Sequence, residues 1–143
     1  MKILFVCTGN TCRSVMAEYY LKKRLKDLKI KDVEVGSAGT EASAGSTASA
    51  TALLVLKMRE IDAFEHRSRT VTKKIMETSD YIFALSEEHV KDLLIRYPEF
   101  YEKVCLLDEE GVPDPISGTE QEYLKAFETI KKAVERNVLP TIL

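Results

Sequence analysis

The sequence predicts an α/β fold, a three-layer sandwich in which a central four-stranded parallel sheet is flanked by helices on both faces. Short apolar runs of strand-forming residues alternate with longer segments of helical spacing, the order that right-handed crossovers between parallel strands produce. The 143 residues match one compact domain with a single serious core. No internal repeat, low-complexity tract or linker divides them, so residues 1–143 are expected to form one domain.

The first strand is Ile3 to Val6. Ser14 to Leu28 follows as an amphipathic helix with Met16, Ala17, Tyr20, Leu21, Leu25 and Leu28 at helical spacing. Val33 to Val35 is a second strand, and the small residues from Gly36 through Ser46 lack the bulk for a core and are expected to form a surface loop. Thr47 to Arg59 suits a largely buried crossover helix, through the apolar density of Ala52 to Leu56 and Met58. Tyr81 to Leu85 is the clearest later strand, Glu87 to Tyr97 a short helix stopped by Pro98, and Val104 to Leu107 the fourth strand. Asp108 to Ile116 is a loop. The last helix, Thr119 to Asn137, places Tyr123, Phe127, Ile130 and Val134 on one stripe, with Thr119 and Glu122 in capping-box spacing.

Composition narrows the partners. With 21 basic residues against 23 acidic ones, there is no net positive charge to draw the chain to nucleic acid or to an anionic membrane. The basic cluster Lys22, Lys23, Arg24, Lys26, Lys29 and Lys31 falls on the outer face of the first helix and reads as a solvated face rather than a docking patch for acidic partners. Three cysteines, Cys7, Cys12 and Cys105, do not make a disulfide framework and point to a reducing, cytoplasmic compartment. No segment approaches the roughly 20 apolar residues of a bilayer span, and Ile3 to Cys7 is far shorter than a signal-peptide core.

The chemistry lies in Cys7-Thr8-Gly9-Asn10-Thr11-Cys12-Arg13-Ser14, placed between the first strand and the first helix. A strand-to-helix turn in a parallel sheet lies at the carboxyl edge, and the helix that follows offers unpaired N–H groups and the positive end of its dipole to an anion. The residues between Cys7 and Arg13 can curl around one tetrahedral phosphate with their N–H groups inward, Gly9 and Asn10 being suited to unusual backbone angles. Arg13 closes the ring with a two-pronged contact. At the centre of this cup the thiolate of Cys7, the form that attacks phosphorus, is favoured. Asp114, between Pro113 and Pro115, is placed to protonate the leaving group and later to activate the water that hydrolyses a phosphocysteine. The scheme requires neither metal nor cofactor.

These residues, with Met16-Ala17-Glu18, Ser37-Ala38-Gly39, His66-Arg67-Ser68-Arg69 and Asp114-Pro115, resemble the low-molecular-weight protein tyrosine phosphatase family over nearly the whole chain and in the same order. The resemblance implies a phosphotyrosine phosphatase I-like fold, with Cys7 as nucleophile, Arg13 as phosphate ligand, Asp114 as general acid and Ser14 as a hydroxyl that steadies the thiolate. It further implies that Asn10, Ser37 and His66 form a hydrogen-bond network holding the loop, that the partner is a phosphorylated protein, and that the chain acts as a monomer. Cys12 then reads either as a redox guard that forms a reversible disulfide with Cys7 or as a small residue packed under the loop.

Departures from the family pattern bear on the substrate. Family members acting on phosphotyrosine have a branched apolar residue where this chain has Thr11, an aromatic in the loop near Glu41 to Ser46, and an aromatic where it has Ile116. The walls that would sandwich a phenyl ring are thinned. A loop threonine resembles the branch of protein arginine phosphatases, since a hydroxyl at the mouth leaves polar room for a planar guanidinium. Val15 stands where the family has proline, which costs rigidity but no chemical group.

Other residues take plainer readings. Cys105 in its apolar strand is expected to be core, Tyr97 and Tyr123 core or rim, and His89, in a polar helix start, exposed. Zinc is not expected, because Cys105, His66 and His89 are scattered singly around the Cys7/Cys12 pair. An arsenate reductase would need a further cysteine pair near Tyr81 to Tyr97, where there is none. A non-catalytic oxyanion-binding redox module would have no use for Asp114.

Overall fold

The structure, a computed structural model, describes residues 1–143. The predicted architecture is present: four parallel strands in the order β2-β1-β3-β4, formed by β1 (Lys2–Cys7), β2 (Glu34–Gly39), β3 (Tyr81–Ala84) and β4 (Val104–Leu106). Between them run α1 (Arg13–Asp27), α2 (Ala50–Lys57), α3 (Lys73–Thr78) and α4 (Glu87–Arg96), and after β4 come α5 (Glu120–Ala133) and α6 (Leu139–Ile142).

Successive side chains of the central strand point to opposite faces, which splits the core in two. Ile3, Phe5 and Cys7 join the larger cluster, packed by α1, α2 and α5 through Met16, Leu21, Leu56, Phe127 and Ile130. Leu4 and Val6 join the smaller one with Ala38, Ile82, Met76 of α3 and Leu93 of α4. The stripe Tyr123, Phe127, Ile130 and Val134 is buried as its spacing predicts, and the hydroxyl of Thr119 accepts the Glu122 N–H at 3.2 Å. The basic residues of α1 lie outside the core, Lys23 pairing with Asp27 and Arg24 with Glu135.

Several expectations need correction. The small residues after Val35 do not begin a surface loop. Gly36 to Gly39 continue β2 in register with Leu4 to Cys7, and Ser37 and Ala38 are buried. Small side chains are needed because the end of β2 lies against the turn that follows β1. Thr40 and Glu41 donate their N–H groups to the carbonyls of Cys7 and Thr8, and a Cβ on Gly39 would sit 2.3 Å from the Thr8 carbonyl oxygen. Helix α3, which the sequence reading leaves out, is only six residues long and is capped by Thr72, whose hydroxyl accepts from Ile75. Helix α2 is shorter than predicted and buries only one face, Leu54 and Met58 being exposed. After α5 a π-helical turn, Val134–Val138, passes the chain into α6, past the predicted end at Asn137. Pro140 fits at the start of α6, where its missing N–H is not needed. Cys105 lies on the edge strand and is only half-buried, although it packs against the larger cluster.

The two glycines of β2 give a test. Gly39→Ala meets backbone that cannot move without distorting the loop, and is expected to cost about 1–3 kcal/mol or more. Gly36→Ala meets the terminal nitrogen of Arg69 at 2.7 Å, the end of a flexible side chain, and is expected to cost clearly less. Urea unfolding of both variants checks the order.

Candidate active site

Cys7 is the last residue of β1 and Arg13 the first of α1, so the loop between them lies at the carboxyl edge of the sheet. None of the amides of Thr8 to Cys12 donates to a backbone carbonyl. Helix α1 has no side-chain cap bond from its N-cap Cys12 and no acidic residue in its first turn, so its own sequence leaves its positive end uncompensated. The loop turns through Asn10, whose φ of 57° lies in the left-handed region. Gly9 has no positive φ; the permissive angle is supplied by the asparagine alone.

Asn10 holds that conformation because it is fully engaged. Its carboxamide nitrogen donates to Ser14 Oγ and to Ser37 Oγ, each at 2.8 Å, and its carboxamide oxygen accepts the Arg69 N–H at 3.0 Å. His66 Nε2 donates to its carbonyl oxygen at 2.8 Å. Beyond Ser37 stands Glu18, a buried carboxylate that accepts from Ser37 Oγ and from Lys22 Nζ, both at 2.5 Å, with His66 Nδ1 at 3.9 Å.

A carboxylate can only accept, and the Asn10 carboxamide cannot flip because its oxygen takes the Arg69 N–H; together these set the direction of the chain of bonds. Ser37 gives its proton to Glu18, so its oxygen takes one from Asn10. The second amide proton of Asn10 goes to Ser14 Oγ, leaving the Ser14 hydroxyl proton to point at Cys7 Sγ, 2.9 Å away. The arrangement presents a hydroxyl donor to the Cys7 sulfur. Sequence reading places Asn10, Ser14, Ser37 and His66 here but gives Glu18 no role. The available signal is its position four residues after Ser14, on the same side of α1.

Arg13 is buried and faces the other wall. Its Nη1 donates to the Val112 carbonyl at 3.0 Å and its Nη2 lies 3.4 Å from Asp114 Oδ2. Asp114 Oδ1 accepts the Ile116 N–H at 3.0 Å, which orients the carboxyl. One guanidinium therefore closes the cup and ties the loop carrying Asp114 to it. The resulting cavity, about 260 Å³, is lined by Cys7 to Arg13 with Asp114 and Ile116, and by no aromatic residue. Cys12 is buried beneath the loop, its Sγ 3.4 Å from Tyr123 Oη and 3.6 Å from Ser49 Oγ. No three His, Cys, Asp or Glu side chains converge as a metal-ligand set.

His89 contradicts its expected exposure. It is 3% exposed, with Nε2 at 2.8 Å from Thr8 Oγ1 and Nδ1 at 2.9 Å from Ser86 Oγ. The polar composition of α4 misleads because the helix turns only His89 and Leu93 fully inward. Burial, reinforced by the charge of Arg13 and opposed by Asp114 and Asp92, brings its pKa down to about 4.

The cup, the arginine and the carboxylate beyond it fit one known group of proteins. A family model described as low molecular weight phosphotyrosine protein phosphatase matches residues 2–140. The chain belongs to this family. A protein-arginine-phosphatase of Geobacillus stearothermophilus is 37% identical, over 94% of this chain and 92% of that protein. The low molecular weight protein tyrosine phosphatase of T. tengcongensis superposes with a TM-score of 0.92 at 36% identity, covering 100% of this chain and 99% of that one. A cysteine-to-serine mutant of the arginine phosphatase YwlE, with its active-site serine phosphorylated, gives 0.88 at 29% identity over 97% and 99% of the two chains. Across this low-molecular-weight phosphatase family, the substrates named thus differ while the fold is shared.

The lowered His89 pKa makes stability depend on pH. Unfolded His89 takes up a proton near its ordinary value of 6.5 whereas the folded imidazole stays neutral to about 4. The stability due to the neutral group is therefore present above 6.5 and is lost as pH falls towards 4. Urea unfolding at pH 7 and 4.5 is expected to show a loss larger in the wild type than in His89→Gln, by about 2–3 kcal/mol.

Proposed function

We propose that the chain is a cysteine-dependent protein phosphatase that hydrolyses phosphoarginine through a phosphocysteine intermediate. The observation that carries the substrate is the mouth of the cavity. It offers the Thr11 hydroxyl and the Asp114 carboxylate, and no ring against which a phenyl group could stack. A planar, cationic guanidinium matches a polar mouth whose Thr11 hydroxyl and Asp114 carboxyl group can accept its N–H bonds. The similarity to a protein named as an arginine phosphatase supports the same reading.

In this mechanism the loop amides and Arg13 bind the phosphoryl oxygens, and Ser14 donates to the Cys7 thiolate. Sulfur attacks phosphorus in line, an S–P bond forms and the P–N bond breaks. Asp114 gives its proton to the departing guanidino nitrogen, so that arginine leaves as its ordinary guanidinium cation. Water then attacks phosphocysteine and Asp114 accepts its proton, so that inorganic phosphate and the thiolate are regenerated. The positive cup offsets the charge that builds on the equatorial oxygens.

Phosphotyrosine is the second reading, favoured by one observation. Ile116, 56% exposed at the rim, provides an apolar surface on which a phenyl ring can lie. A relay of the arsenate reductase kind lacks its parts, since beyond Cys7 only Cys12 under the loop and Cys105 on the edge strand remain.

Hydrolysis of a phosphoarginine and a phosphotyrosine peptide by the wild type and by Thr11→Ile separates the two readings. The wild type is expected to show the higher kcat/KM on phosphoarginine, and the substitution to move the ratio toward phosphotyrosine by about tenfold or more. A wild type that prefers phosphotyrosine, with a ratio Thr11→Ile leaves in place, refutes the arginine assignment. Cys7→Ser is expected to bind phosphate without turnover; unchanged hydrolysis would remove Cys7 as the nucleophile.

A further inference from the structure

Helix α4 contributes nothing to the chemistry just described, yet it places a polar pair against the phosphate loop. Ser86 stands at its N-cap position but makes no side-chain cap bond. A serine there ordinarily accepts from the second or third amide of its helix, a bond whose loss costs about 1 kcal/mol. Here its Oγ is instead engaged by His89 Nδ1, three residues on. The far side of the same imidazole reaches Thr8 Oγ1, 81 residues away in the sequence.

Thr8 is the second residue of the loop, next to Cys7. Its carbonyl accepts from Glu41, so the peptide after it is held on one side by the end of β2. The side-chain bond to His89 is the second restraint. Together they restrain the residue through both its main chain and its side chain, and with it the peptides on either side. Simple packing does not account for a histidine at this place, because an aliphatic side chain would fill the space without desolvating an imidazole. Neither does charge: burial and the neighbouring Arg13 keep the ring neutral, so it adds no second cation to the cup.

We infer that His89 is a positioning residue of the phosphate loop, an imidazole that ties Ser86 at the N-cap of α4 to Thr8 and so fixes the loop amides in the geometry the transferring phosphoryl group requires. This rests on the reading that the loop binds a phosphoryl group. The effect is expected to be greater on the trigonal-bipyramidal state than on a bound tetrahedral anion, since misaimed donors fail where charge develops.

The side chains of glutamine and asparagine divide the two halves of the bridge. Glutamine can reach Thr8 as Nε2 does, whereas asparagine reaches only the Nδ1 position beside Ser86. His89→Gln is therefore expected to keep kcat/KM on p-nitrophenyl phosphate within about threefold, and His89→Asn and His89→Ala to lose about tenfold or more, mainly in kcat. In the same two variants, inhibition by vanadate should weaken more than inhibition by inorganic phosphate. Thr8→Val should match His89→Ala, and the double variant should lose little beyond either single one, because both cut the same bond.

Equal loss in His89→Gln and His89→Ala, both with wild-type urea midpoints, would overturn the assignment. So would additive losses in the double variant, or parallel weakening of phosphate and vanadate. Should His89→Ala fail to fold, His89→Gln, His89→Asn and Thr8→Val carry the same comparison. The wild type's own inhibition by vanadate tests the loop reading separately. Its absence sinks that reading, whereas normal inhibition with unresponsive His89 variants sinks only the role given to His89.

Discussion

A single asparagine in a left-handed conformation holds the site together. A β-carbon at positive φ is unfavourable, and asparagine tolerates the region best because its own side chain can bond locally. In this loop the compensation is not local. Asn10 is fastened to α1 through Ser14, to β2 through Ser37 and to the segment 66–69 through His66 and Arg69. These three parts meet only when the sheet has formed. The fold therefore stabilises the loop, and the loop keeps its shape although none of its amides from Thr8 to Cys12 donates to a backbone carbonyl.

The Arg69 N–H and the buried carboxylate of Glu18 together give this network its direction. The Asn10 carboxamide cannot flip, because its oxygen takes the Arg69 N–H, so its NH2 group must donate to both Ser14 and Ser37. At the far end Glu18, an acceptor-only group, takes the Ser37 proton, and Lys22 beside it keeps the carboxylate matched in charge. Arg13 does comparable work at the opposite wall. By bonding the Val112 carbonyl and facing Asp114, it makes the position of the loop carrying Asp114 depend on a side chain that lines the cavity itself.

Local patterns made most of the fold legible. β1, β3, β4 and the stripe of α5 follow from periodicity, and the cup follows from a cysteine and an arginine at the right distance on either side of a strand-to-helix turn. What escaped the sequence is set by contacts between distant segments. Gly36 to Gly39 lack the bulk that marks a strand, and only the neighbouring loop explains why bulk is forbidden there. His89 lies in a helix start of acidic residues, and its burial depends on Thr8, which no spacing rule connects to it. Glu18 is visible only as part of a family resemblance until Ser37, nineteen residues on, is seen to donate to it.

The division between buried and exposed parts also explains how one scaffold can serve different phosphorylated side chains. Asn10, Arg13, Ser14, Glu18, Ser37 and His66 are all buried and bonded to one another or to the backbone, so a change at any one disturbs several partners. Thr11 and Ile116 lie at the rim and make none of the network's bonds, Thr11 Oγ1 having only a 3.8 Å contact to Cys12 Sγ. The loop from Glu41 to Ser46 is also largely exposed. On the proposed mechanism, substitutions there would alter what stands against the leaving group without moving the loop amides. Phosphoryl transfer would then constrain the interior, with choice of substrate left to a few rim residues that can change independently of it.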